Sequence, residues 1–307
     1  MTLSVEREPV AADADAPARV VTAKVTLTRR VREIWDAREL LVAMVRKELK
    51  VKYKDSALGF VWSMLNPVMY LVIFYLVFSI FLKNGIPLFP IWLLSGLLVW
   101  NFISSVLPSG TGSVVGNSSL IKKVSFPREV LPLASVGAGL VHFCLQGIVL
   151  LAGLVVFQHG VDLAFLAIVP YAMLTLVVLT AALAIFLAAV NVYIRDAQHL
   201  LELSLLAWFW MTPIIYPFRQ VGDKLDAREL SQWLFALNPM TPIVITFQRA
   251  IYNRTAVGDG GAIKLLPEVG VGTHLLLLTA LLSVSTGLLV ASMAYFRRVE
   301  GSFAEEL

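Results

Sequence analysis

Apolar residues recur at helical spacing at Leu41, Met44, Val45, Leu49 and Val51, with the basic residues Arg46, Lys47, Lys50, Lys52 and Lys54 between and after them. From residue 61 to residue 82 the chain then carries no charge. A basic amphipathic helix that runs into a charge-free segment lies along a membrane surface before it enters the hydrocarbon. The pattern predicts that surface helix over about residues 36–54. Six apolar stretches follow that are long enough, or nearly so, to cross roughly 30 Å of hydrocarbon. They cover residues 61–82, 91–107, 130–157, 163–190, 203–218 and 275–296. Past Pro108 the second meets a Gly/Ser-rich stretch that either extends it or ends it. The fifth is short. Before the sixth, residues 227–237 are a candidate short helix ending at Asn238-Pro239. Residues 242–252 form a second apolar segment, too short to span, that reads as re-entrant or interfacial. The expected fold is therefore an all-α membrane domain over residues 32–307, with six spans, a surface helix and two short outer helices. Residues 1–31 are expected to be a disordered tail.

Composition agrees with lipid as the main solvent. The 307 residues are 58% hydrophobic and only 15% charged, and the mean hydropathy is +0.79. A soluble domain of this size has too little interior for so much apolar surface. The basic residues cluster at the ends of apolar runs, which is membrane topology and not a nucleic-acid footprint. Twelve Lys/Arg precede residue 55, and Lys122, Lys123 and Arg128 follow the second span. Arg195 follows the fourth span, and Arg297 and Arg298 follow the sixth. The short loops after spans one and three hold only Lys83. This bias predicts both termini in the cytoplasm and the long loop of residues 219–271 outside. Cys144 is the only cysteine, so no intrachain disulfide and no thiolate metal cluster can form.

The chemistry that is missing narrows the function. No Gly-x-x-x-x-Gly-Lys-Ser/Thr motif is present, so the chain cannot itself cradle nucleotide phosphates in a P-loop. The run Gly110-Thr111-Gly112-Ser113-Val114-Val115-Gly116 follows a span, not a strand, and reads as small-residue helix packing. Spans one, four and six have no acid or base in their middles, unlike an ion-driven carrier. His142 reads as a structural residue, bonded to Gln146 one turn on or to a neighbouring helix. A membrane enzyme of glycan assembly would need paired carboxylates near one face. Asp196, Glu202, Asp223, Asp226 and Asp259 form no such pair.

Aromatic residues leave two readings open. Tyr70, Phe74, Phe78 and Phe81 share one face of an ideal first span. Trp92 and Trp100 lie in the second, and Trp208, Phe209, Trp210, Tyr216 and Phe218 crowd the fifth. They are either interfacial anchors and lipid-facing filler, or a path on which sugar rings stack and slide. On the second reading the path residues are Tyr70, Phe74, Phe78, Phe81, Trp100, Trp208, Trp210 and Tyr216.

Four stretches carry a family resemblance over roughly residues 38–296. The first is Arg38-Glu39-Leu40, Arg46-Lys47-Glu48-Leu49 and Tyr53-Lys54-Asp55-Ser56-Ala57-Leu58-Gly59. The second runs from Asn117-Ser118-Ser119-Leu120-Ile121-Lys122-Lys123 through Phe126-Pro127-Arg128-Glu129-Val130-Leu131-Pro132. The third is Tyr193-Ile194-Arg195-Asp196. The last is Thr212-Pro213-Ile214-Ile215-Tyr216-Pro217, followed by Leu237-Asn238-Pro239-Met240-Thr241-Pro242. In this order, between six spans, they resemble the permease of a two-component ABC-2-type exporter of lipid-linked polysaccharide. O-antigen, teichoic-acid and galactan exporters make up that family.

The resemblance implies a homodimer in the bacterial cytoplasmic membrane, with the path between its copies. It implies two cytoplasmic ATPase subunits that carry the ATP and Mg²⁺, no cofactor in this chain, and a polyprenyl-pyrophosphate-linked glycan as cargo. It makes the segment around Asn117 to Arg128 the coupling element, with Asn117, Leu120, Lys122, Lys123, Phe126, Pro127 and Arg128 as its residues. Pro127 stiffens the joint to the third span, and Phe126 offers an apolar anchor for the ATPase. Arg38, Arg46, Lys47, Lys50, Tyr53 and Lys54 are placed at lipid head groups or at the cargo pyrophosphate. Other readings remain open: an ABC-2-type lipid or drug exporter permease, a membrane enzyme of glycan assembly, or a secondary carrier.

Overall fold

A computed structural model of the chain describes residues 27–54, 65, 68–69, 72–81, 86–218, 237–252, 255–258, 261–267 and 269–307. Two helices open it, α1 (Leu27–Asp36) and α2 (Arg38–Tyr53). A π-helical stretch α3 (Tyr75–Phe81) follows, and then the long helix α4 (Phe89–Gly116). One turn, α5 (Ser118–Ile121), joins α4 to α6 (Val130–Val156). After it come α7 (Leu163–Leu166), α8 (Val169–Tyr193), α9 (Ala197–Met211) and α10 (Met240–Ile251). The last long helix is α11 (Val271–Val299), and α12 (Phe303–Glu306) closes the chain. A short antiparallel hairpin, β1 (Thr255–Gly258) with β2 (Gly261–Lys264), precedes α11, with Thr255 opposite Lys264.

Among the described residues, four stretches are long and apolar enough to span: Phe89–Gly116, Val130–Val156, Leu163–Tyr193 and Val271–Ser302. They match the second, third, fourth and sixth expected spans. Pro108 does not end the second, which runs on to Gly116. The fifth expected span departs from its forecast. Its helix begins earlier, at Ala197, and stops at Met211, because Pro213 and Pro217 cannot donate to a helical ladder. At 15 residues it reaches roughly 22 Å at 1.5 Å per residue, short of the hydrocarbon thickness. Nine of the 22 residues of the first expected span, 61–82, lie outside the described residues, as does all but Leu237 of the candidate helix 227–237. Helix also begins at Leu27, inside the stretch expected to be a disordered tail.

α4 is the centre of the bundle. From Ile91 to Trp100 every residue is buried, and the seam continues through Phe102, Ile103, Val106 and Leu107. α6 closes on it at Gly139, where a Cβ would stand 2.2 Å from Val106 and 3.3 Å from Phe102. Gly110 likewise meets Ala184 of α8, so this part of the glycine run is a packing seam. α6 and α11 keep large apolar side chains on their outer faces, among them Ile148, Leu151, Val155, Leu276 and Val284. Such faces suit lipid.

The two ends of the bundle differ in chemistry. α1, α2, α5 and α12 gather at one end, here the basic face. α10, the 212–217 segment and the start of α11 gather at the other, the opposite face.

Candidate functional site

At the basic face α2 lies against α6, and two polar side chains, Glu48 and Lys47, hold it there. Glu48 accepts from Ser109 of α4 at 3.0 Å and from Ser135 of α6 at 3.1 Å. Lys47 donates to Asn117 Oδ1 at 2.6 Å, while Asn117 Nδ2 closes the end of α4 on Ser113 O at 2.7 Å. Lys47, itself exposed, therefore grips the start of the 117–128 segment. Arg46, Lys50 and Lys54 are exposed. Arg38 is exposed too, and reaches Trp35 O at 3.4 Å. The side chain of Tyr53 lies outside the described residues.

The segment itself points some residues in and some out. Leu120 and Phe126 pack against a cluster of Val114, Ile121, Leu131, Ile185, Met293 and Phe296. Phe126 is thus half-buried in its own chain and is not a free anchor. The exposed residues are Ser119 and, at the tip, Lys122, Lys123, Val124 and Ser125. Val124, half exposed, is the apolar side chain that the segment offers outward, and the sequence reading passed over it. Pro127 is half-buried. Arg128 sits over the Phe303 ring at 5.8 Å and donates to Glu300 O.

Beside it lies a buried ionic cluster that the sequence did not single out. Arg30 of α1 makes two bonds to Glu129, at 2.8 and 2.7 Å, and one to Glu300 at 2.6 Å. It also reaches Glu33 at 3.2 Å. The Glu129 side chain is 0% exposed and that of Arg30 is 12% exposed. Burial pulls the Arg30 pKa down, but the bonds and charge of Glu129, with Glu300 and Glu33 behind, outweigh it and hold the guanidinium above its ordinary value. The signal was present in Glu129 itself, a carboxylate immediately before an apolar span. Asp196 and Glu202, weighed as catalytic candidates, are both exposed.

The opposite face is mostly neutral and tightly filled. All twelve residues of α10 are buried, so the short helix is enclosed by protein along its whole length. Asn238 fastens its start with four bonds. Its oxygen accepts from Trp208 Nε1 at 2.8 Å and from Met240 N at 3.0 Å. Its amide donates to Met211 O at 3.2 Å and to Thr212 Oγ1 at 3.0 Å. Gln248 donates to Pro213 O and Ile214 O, at 3.2 and 3.3 Å, beside Gly96, where a Cβ would stand 3.1 Å from Ile214. At the end of α10, Tyr252 donates to Pro87 O, and its ring meets Trp92 at 5.5 Å and His159 at 5.2 Å. Burial pushes its phenol up to about 12, so it remains a neutral donor. Arg249 lies 3.8 Å above the Phe165 ring and donates to Val269 O.

The expected aromatic path divides accordingly. Phe74 and Phe78 stand 5.9 Å apart, and Phe78 meets Phe89 of α4 at 5.6 Å. Phe81 points elsewhere and is largely exposed. The π-helical winding from Tyr75 breaks the spacing that an ideal α-helix would give these rings. Tyr70 lies outside the described residues. Trp100 is buried between Trp208 and Phe209, at 6.2 and 5.4 Å. Trp210 is exposed, and Tyr216 donates to Trp210 O at 2.8 Å. In the middle of the bundle Gln146 accepts from Asn101 of α4 at 3.1 Å, one turn beyond the buried His142.

Residues 39–252 match the family described as ABC-2 type transporter. The chain is 33% identical to an O-antigen export system permease protein of Myxococcus xanthus, over 92% of this chain and 100% of that protein. It is 29% identical to an O-antigen export system permease protein of Klebsiella pneumoniae, over 70% of this chain and 81% of that one. A polysialic acid transport protein of Escherichia coli is 22% identical, over 68% of this chain and 80% of its own length.

Proposed function

The chain belongs to the ABC-2 type transporter family, and from that premise we propose that it is the permease subunit that carries a polyprenyl-pyrophosphate-linked polysaccharide across the bacterial inner membrane. The observation that carries this reading is the end-to-end correspondence with the Myxococcus O-antigen permease. It is a transport subunit and not an enzyme. The energy comes from a separate ATPase subunit, which holds ATP and Mg²⁺ where this chain has no P-loop.

Two copies of the chain form the path and each engages one ATPase. The basic face is cytoplasmic, as are both termini, because the exposed Lys/Arg concentrate there. Arg46, Lys50 and Lys54 meet anionic head groups or the cargo pyrophosphate. Lys122, Lys123 and Val124 form the tip that the ATPase pushes, and its start and end are held by Lys47 and Arg128. The opposite face, closed by α10, lies on the outer side. Among the described aromatics proposed for the path, Phe81 and Trp210 are exposed in one protomer and are free to meet sugar.

The test is genetic and chemical. Cells that lack the chain should lose surface polysaccharide and accumulate lipid-linked glycan in the inner leaflet. The wild-type chain should restore export. Val124→Asp should reach the membrane yet fail to restore it, since a charge entering an apolar cleft on the ATPase costs about 2–5 kcal/mol. Normal surface polysaccharide without the chain would overturn the reading.

A further inference from the structure

The Arg30 cluster joins three parts of the chain that are far apart in sequence. Glu129 immediately precedes α6 and ends the 117–128 segment. Glu300 follows the last residue of α11, and Arg30 lies on α1. Arg30 touches both carboxylates at 2.6–2.8 Å, and Arg128 adds a second tie from the segment to the Glu300 backbone. Tyr193, at the end of α8, donates to Val299 O on the same side. A bidentate guanidinium–carboxylate pair fixes direction as well as distance, and a carboxylate with no exposure cannot trade that partner for water. The neighbouring cluster of Met293, Phe296 and Phe303 is apolar and less directional than an ion pair. The ionic contacts add a fixed direction to where the end of α11 stands relative to the segment.

We propose that Arg30 is a positioning residue for energy coupling: its bonds to Glu129 and Glu300 make α1, the exit of the 117–128 segment and the end of α11 move as one body. A push on the exposed tip at Lys122 to Ser125 then reaches α11 as well as α4 and α6. Without Arg30 the segment moves and the last helix lags. This inference rests on the transport reading above.

The test uses the full chain assembled with its ATPase in vesicles loaded with lipid-linked glycan, measuring glycan moved and ATP hydrolysed together. Arg30→Lys keeps the charge but cannot bridge both carboxylates in the same geometry. It should leave complex assembly and hydrolysis within about twofold of wild type and cut glycan moved per ATP by roughly tenfold, within the usual span of coupling between sites. Glu300→Gln, at the more exposed member, should do the same to a smaller degree and guards against misfolding of the first variant. Unchanged ratios in both single variants would overturn the proposal. So would export and hydrolysis falling in proportion with loss of assembled complex, the mark of a purely structural role. If the wild-type complex hydrolyses ATP but moves no polysaccharide, the transport reading fails instead.

Discussion

The two ends of this bundle are held by different forces. At the basic face the fixed points are charged: Lys47 on Asn117, Glu48 between two serines, and Arg30 on Glu129 and Glu300. At the opposite face they are mostly neutral amides, hydroxyls and rings, centred on Asn238, Gln248 and Tyr252. Ion pairs are directional and few, and the helices that they join meet solvent on their other sides. The amide network is dense, and its α10 has no exposed residue. The contrast fits a machine that is driven at one end and sealed at the other. A driven end needs rigid struts between parts that travel together, whereas a sealed end needs the absence of gaps.

The largest effect is expected at the seal. Asn238→Leu removes four bonds and leaves Trp208 Nε1 and the Met240 amide without their acceptor. Unmade bonds of buried groups cost about 1–3 kcal/mol each, so a loss of roughly 3–5 kcal/mol is expected. Thermal unfolding of the detergent-solubilised chain measures it. Asn238→Asp should lose less, because a carboxylate still accepts both bonds and forfeits only the two donated ones. Equal stability of Asn238→Leu and wild type would show that the opposite face is held by apolar packing alone, and the contrast with the basic face would collapse.

The seal was half legible in the sequence and the clasp was not. The shortness of the 242–252 run, the prolines around it and the Asn238-Pro239 pair pointed to a short re-entrant or interfacial helix that does not span, and α10 is a twelve-residue helix buried along its whole length. The four long spans came from apolar length, which needs no tertiary information. α9 was misjudged because hydrophobicity continues past Met211 while the helix does not; Pro213 marks the stop. Phe126 looked like an outward anchor because an aromatic between charges on a short loop resembles one. It packs instead against a cluster that includes residues from α8 and α11, far along the chain, which no local pattern encodes. The same holds for Arg30, whose partners lie 99 and 270 residues along the chain.

A smaller effect should mark the driven end. Lys122→Gln with Lys123→Gln removes two exposed charges and no buried contact, so the fold should be unchanged within about 0.5 kcal/mol. Association with the ATPase should weaken by roughly tenfold at low salt, mainly through slower encounter, and the gap should narrow as salt rises. Binding kinetics at two ionic strengths read this out. A salt-independent loss, or none, would mean that Val124 and its neighbours carry the contact and that charge at this end serves only within the chain.

The smallest effect concerns the aromatic stripe. Phe74 and Phe78 pack against each other and on Phe89, where α3 meets α4. A ring there supplies volume and an edge contact of about 0.5–1.5 kcal/mol. Leu keeps most of the volume, so Phe74→Leu with Phe78→Leu should cost no more than about 1–3 kcal/mol of stability. Export per ATP should stay within about twofold of wild type, because neither ring is free to meet a passing sugar while it holds this seam. Trp210→Leu is the informative counterpart. Its ring is more than half exposed, and its backbone oxygen accepts from Tyr216 whatever the side chain, so the local fold survives the change. If the sliding surface includes Trp210, that single substitution should lower export more than the double Phe variant does, with protein level and hydrolysis unchanged. The reverse order would return the path to the Phe74–Phe78 face, and would require α3 to leave α4 when the second copy and the cargo are in place.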